Sequence, residues 1–99
     1  MGYKNSSGKR GYVYILTNKS KSTLYIGVTS FLDKRILDHK HGEGSKFSAK
    51  YNLEILLYYE KYPNIGEAIE REKQLKNWHR DWKLNLIKET NPDLEDLWH

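Results

Sequence analysis

Apolar and polar positions fall into two short repeated patterns near the start of the chain. "GYVYILT" (11–17) is β-branched or aromatic at most places, and "TLYIGVT" (23–29) resumes the pattern after the polar stretch "NKSKS". Each reads as a strand, and so short a connection makes them an antiparallel hairpin. "LEILLYYE" (53–60) reads as a third, more apolar strand. Two other segments keep a helical period. "SFLDKRILDHKHG" (30–42) places Leu32 and Ile36 four apart, with Ser30 as a cap, Asp33 in the first turn and Gly42 at the end. Phe31 and Leu37 are candidates for the same inward side. "IGEAIEREKQLKNWHRDWKLNLIK" (65–88) carries the stripe Ile65, Ala68/Ile69, Glu72, Leu75, Trp78, with a break expected near Asp81. Trp78 and Trp82 are expected in the core. "HKHGEGSKFSAKY" (39–51) reads as a basic, glycine-containing loop, "YPN" as a turn, and "NPDLEDLWH" as a turn and short terminal helix. Residues 1–10 are polar and read as a flexible tail, leaving 11–99 as one domain without internal repeats.

Strand alternation sorts the side chains. Val13 and Ile15 share one face of the first strand, and Tyr12, Tyr14 and Leu16 the other. In the second, Leu24, Ile26 and Val28 oppose Thr23, Tyr25 and Gly27. Joining the aliphatic faces as a core leaves Tyr14, Tyr25 and Gly27 together on the reverse. There, Gly27 lacks a side chain where a nucleic-acid backbone can approach. Alternatively, the tyrosines simply stabilise the hairpin as a cross-strand pair. Arg35 and His39 are four apart and share one edge of the first helix. Arginine stays charged and forks well onto phosphate. Lys34 on that helix, and Lys40, Lys46 and Lys50 after it, are candidate phosphate contacts. His41 is expected as a surface residue. Glu72 occupies an apolar angular position, so it requires either a cation or a partner such as Lys76 at i,i+4.

Charge sharpens this picture. Residues 1–50 carry ten Lys/Arg against three Asp/Glu, and residues 51–99 carry seven against ten, which together give the net +4. A polyanion is the natural partner for the first half. The chain has no cysteine, which excludes disulfides, thiolate metal sites and a cysteine nucleophile. It shows neither a signal-peptide pattern nor an apolar run of membrane-spanning length, so a soluble, cytoplasmic protein without a membrane partner is expected.

These residues, in this order, resemble the GIY-YIG nuclease family over residues 11 to about 98. "YVY" (12–14) stands at the first motif, with Tyr12 replacing its glycine, and "YIG" (25–27) matches the second. "VTSFLDKRILDH" brings Arg35 and His39 in family order, and "AIEREKQLKNW" resembles the glutamate-bearing helix with Glu72. "NP" (91–92) resembles the end of the small single-domain bacterial members, which are related to the N-terminal domain of an excision-repair nuclease. The resemblance implies an α+β fold, a three-stranded antiparallel sheet flanked by helices. It also implies phosphodiester hydrolysis dependent on Mg²⁺ or Mn²⁺. Tyr14 and Tyr25 would position and deprotonate water, either being the base. Arg35 would stabilise phosphoryl charge, His39 would orient water or a tyrosine, and Glu72 would hold the metal. The hydroxyls of Tyr14 and Tyr25, the Arg35 guanidinium and the Glu72 carboxylate are expected to line one shallow concave site. Lys46 stands in the region where some larger members have a second histidine. DNA is the implied partner, with RNA also open. A catalytic module alone is expected to have little sequence preference, or to borrow specificity from DNA structure or a partner protein. The competing reading is a non-catalytic module whose sheet tyrosines stack on bases.

Overall fold

The computed structural model describes residues 10–98, so the expected tail, apart from Arg10, lies outside the described residues. Strands β1 (Gly11–Thr17), β2 (Leu24–Thr29) and β3 (Ile55–Tyr62) form one antiparallel sheet in the order β2-β1-β3. Helices α1 (Leu32–Lys40) and α2 (Lys46–Lys50) separate β2 from β3, and α3 (Ile65–Lys76) and α4 (Arg80–Thr90) follow β3. The class is α+β, as the residues and the family resemblance lead one to expect. Asn18 closes the hairpin, its side-chain oxygen accepting from the N–H groups of Ser22 and Thr23 at 2.9 and 3.4 Å.

The sheet faces divide as alternation predicts, but both are cores. Val13 and Ile15 pack with Ile26, Leu57, Ala68, Leu75 and Ile87. Tyr14 and Leu16 pack on the other face with Ile36, Leu53 and Leu56. Central strand β1 is therefore apolar on both sides, as expected of a strand covered twice. The face carrying the tyrosines is thus a second core, because α1 lays Ile36 across it.

Several boundaries differ from expectation for local reasons. Ser30 does not cap α1; the Thr29 hydroxyl instead accepts from the Phe31 N–H at 3.1 Å. Phe31 and Leu37 point outward rather than into the core. Gly42 and Glu43 close the far end of α1, donating to the carbonyls of His39 and Asp38 at 3.0 and 2.7 Å. The basic segment expected as a loop contains α2, started by Ser45, whose hydroxyl accepts from the Ser48 N–H at 3.0 Å. The break between α3 and α4 falls at residues 77–79, just before Asp81. Trp78 borders the first core, whereas Trp82 is 54% exposed. Residues 91–98 form no helix. They run as a strap held by Asn91, which donates to the Leu57 carbonyl at 3.0 Å, and by Asp96, which accepts from the Leu56 N–H at 3.0 Å.

A polar knot fastens α3 to the sheet. Glu60 on β3 accepts from the hydroxyls of Tyr58 and Tyr62 at 2.6 and 2.7 Å, and from Arg71 at 2.9 and 3.1 Å. Burial works against its charge, but these donors hold its pKa below the usual carboxylate value. Arg71 lies one residue before Glu72, so the knot fixes the helix that carries that carboxylate. Among the described residues, no helix is long and apolar enough to cross a membrane.

Candidate active site

Tyr14 pairs with Gly27 across the hairpin. A β-carbon at Gly27 would overlap the Tyr14 phenol. The missing side chain thus makes room for the ring, and Gly27 itself is buried. That corrects its expected role as the place where a nucleic-acid backbone approaches. Tyr14 is only 1% exposed, and α1 brings His39 over it. The rings of Tyr14, Tyr25 and His39 form a triangle with centroids 6.3, 5.6 and 5.5 Å apart.

Within this triangle runs a chain of hydrogen bonds. The Tyr14 hydroxyl lies 3.0 Å from His39 Nε2, and His39 Nδ1 lies 2.8 Å from the Ser48 hydroxyl. Ser48 has one proton, which it can donate to the Ser45 carbonyl at 3.2 Å while accepting from the Ser45 hydroxyl at 3.1 Å. In that arrangement Ser48 would accept from His39 Nδ1–H, which would leave the Nε2 lone pair facing Tyr14. His39 is 2% exposed, and its pKa is lowered to about 4 by burial and then by the charge of Arg35, with Asp38 opposing. The imidazole is neutral at pH 7, and the same burial makes it a weaker base than a free histidine. Gly44 seats this ring, since a β-carbon there would collide with it. Sequence reasoning missed Ser48 and Gly44. The one available signal was a serine three residues after a capping serine.

Burial pushes the Tyr14 phenol up to about 12. Arg35 pulls the other way, the charges of Tyr25 and Glu72 add to the rise, and the aligned hydrogen bond of the hydroxyl goes to His39 rather than Arg35. Arg35 is one-third exposed, lies close enough to Tyr14 to lower its pKa, and approaches Asp38 at 4.0 Å, which leaves part of its fork open to an anion. Tyr25 takes no part in the hydrogen-bonded chain.

Glu72 comes from elsewhere. Tyr14, Tyr25, Arg35 and His39 gather on the α1 face, whereas α3 packs Ala68 and Leu75 into the opposite core. The helix that carries Glu72 therefore packs on the sheet face opposite α1. However, α3 lies under β1 and β2, β2 is an edge strand, and the Glu72 charge is felt at Tyr14. A side chain leaving α3 toward that edge can act near a phenol lying over Gly27. Glu72 is 15% exposed and bridges Lys76 at 3.0 Å, so the expected i,i+4 partner is present.

The lysines separate. Lys40 donates to Asp96 at 2.8 Å and to the Glu54 carbonyl at 2.7 Å, which ties it to the C-terminal strap and removes it from the phosphate contacts. Lys34 remains 76% exposed beside Asp38, and Lys46 and Lys50 are exposed on α2. His41 is exposed, as expected. Tyr12, at the glycine position of the first motif, lines a separate groove with Arg10, Phe31, Tyr59 and Lys61 and does not crowd the three rings.

A sequence model described as the GIY-YIG catalytic domain matches residues 10–85. The chain belongs to the GIY-YIG family. Its relatives include the UPF0213 protein SH2523 of Staphylococcus haemolyticus, 37% identical over 78 residues, covering 79% of this chain and 94% of that protein. The UPF0213 protein CPE1444 of Clostridium perfringens is 43% identical over 76 residues, covering 77% and 81%. The solution NMR structure of the UPF0213 protein BH0048 from Bacillus halodurans is similar in fold, with a TM-score of 0.56 at 30% identity, covering 88% of this chain and 92% of that one. GIY-YIG membership makes this a nuclease-family domain. The paired tyrosines and the Arg35/His39 helix are where the family motifs and the three-ring cluster coincide.

Proposed function

We propose that the protein is a divalent-metal-dependent DNA endonuclease, weakly sequence-selective or structure-selective, suited to DNA repair or recombination. The observation that carries this reading is the buried Tyr14 hydroxyl, hydrogen-bonded to a neutral His39 and flanked by the open guanidinium of Arg35. A phenol raised to about 12 is no base by itself at neutral pH. It becomes one by relay. As water attacks phosphorus, its proton passes to the Tyr14 oxygen and the phenolic proton passes to His39 Nε2. The bond from phosphorus to the leaving oxygen breaks, and solvent protonates that oxygen. Arg35 meets the negative charge that gathers on the phosphoryl oxygens. Burial is the main cause of the low His39 pKa, and a phosphate seated at Arg35 would offset the smaller contribution of that cation. Tyr25, edge-on to His39, would orient the water.

The donor set suits Mg²⁺ or Mn²⁺ shared with substrate. Among the described residues, no group of three His, Cys, Asp or Glu side chains exists to cage a cation. A single carboxylate completed by phosphate oxygens and water is a common arrangement for Mg²⁺. Glu72 would be that carboxylate, and its partner Lys76 is 55% exposed and has room to move aside. When bound, the ion supplies charge stabilisation at the phosphate and the leaving oxygen. The alternative, a module stacking bases on its sheet tyrosines, meets a steric objection, because Tyr14 has no free ring face.

Incubation of supercoiled, branched and single-stranded DNA with the protein and Mg²⁺ or Mn²⁺ tests the proposal. Strand scission that EDTA abolishes is expected. Binding without scission under every metal condition would return the protein to the non-catalytic reading.

A further inference from the structure

Helix α2 displays two large rings that neither core absorbs. Phe47 is 46% exposed, and Tyr51, just past the helix end, is 40% exposed. Their centroids lie 4.7 Å apart, and Phe47 stacks on Tyr25 at 6.0 Å with 25° between the planes. Tyr25 in turn meets His39 and Tyr14. A continuous row of rings thus leads from the reactive cluster to the surface. Lys46 and Lys50 stand exposed on the same short helix, and Lys50 Nζ is 5.4 Å from the centre of the Tyr51 ring. The step is also held in place. Ser48, next to Phe47, is buried and hydrogen-bonded to His39.

Rings left in water beside lysines need an occupant with a flat apolar face and adjacent negative charge. An unpaired nucleobase on its phosphate backbone has both. Aromatic–base stacking is substantial and tolerant of sequence, because every base offers a π face. A fully paired duplex keeps its base faces stacked inside and presents only backbone to such a step. We infer that Phe47 and Tyr51 form a stacking step for an unpaired nucleobase beside the phosphate taken by the Arg35 site. The favoured substrate then has single-stranded nucleotides flanking the scissile bond, as at a flap, fork or loop. This rests on the nucleic-acid reading above and narrows its substrate.

Binding in EDTA, where no cleavage is expected, isolates the step. Single-stranded and fully paired oligonucleotides carrying 2-aminopurine are titrated with wild type, Phe47→Ala and Phe47→Trp. Phe47→Ala should bind the single strand about five- to a hundredfold more weakly. Its duplex affinity and salt dependence should be unchanged, because Lys46 and Lys50 remain. Phe47→Trp should restore both affinity and fluorescence quenching. Should Phe47→Ala fail to fold, Tyr51→Ala carries the same expectation. Equal loss on both oligonucleotides, or undiminished single-strand affinity, would overturn the inference. Neither result bears on metal-dependent scission, and a lack of scission would leave the binding result standing.

Discussion

His39 folds as a neutral ring, and acid reveals it. Its ordinary pKa of about 6.5 falls to about 4 inside the protein. Between those values the unfolded chain binds more protons than the folded one, so stability declines as pH drops from 6.5 toward 4. The loss attributable to this ring is about 3 kcal/mol, because each pH step between the two values costs about 1.4 kcal/mol. Denaturant titrations from pH 7 to pH 4 should show that slope in the wild type and not in His39→Gln. Parallel curves for the two proteins would mean that another group titrates. Glu60 and Asp96 have depressed pKa values in the fold, so their contributions persist until pH falls through the carboxylate range. Local pattern revealed which residues belong together here: alternation placed Tyr14 beside Tyr25, and a four-residue spacing placed Arg35 beside His39. The reasons were less visible. Gly27 makes room for Tyr14 rather than for a ligand, which only the cross-strand register discloses.

Helix α2 is the element that the sequence hides best. Its five residues are too few for a helical period to emerge, and glycines and lysines around it mimic a loop. Yet it delivers Ser48 to His39 Nδ1 at 2.8 Å, a contact that can decide which ring nitrogen carries the proton. Replacing Ser48 with Ala should leave the Nδ1 proton without its acceptor and populate both ring tautomers. Nitrogen-15 shifts of the His39 ring would register that mixture. A ring that keeps Nδ1 protonated in the variant would show that Ser48 does not select the tautomer. The fate of Lys40 was equally illegible, because its partner Asp96 is 56 residues away. Likewise, the strap at 91–98 is ordered by backbone bonds to β3 and not by any helical pattern of its own.

The proposed machinery draws on helices from both faces of the sheet. Helix α1 holds Arg35 and His39 over the phenols, while α3, pinned by Glu60 and Arg71, packs under β1 and β2 and carries Glu72, whose charge is felt at Tyr14. Composition foretold a basic first half and an acidic second half. The folded chain turns that into a surface with Lys34, Lys46 and Lys50 exposed around the α1 face and a mostly buried carboxylate on the far helix. Hydrolysis by this arrangement requires Glu72 to work with the cluster across the β2 edge. The rate of Mn²⁺-supported DNA cleavage by Glu72→Gln, compared with wild type at matched thermal stability, examines that requirement most directly. The change keeps the size of the side chain and removes the charge that a cation needs. A folded variant slowed by about a hundredfold or more is the expected result, in line with the loss of a charge-stabilising group. A folded variant that cleaves at the wild-type rate would contradict the mechanism and leave Glu72 as the structural partner of Lys76.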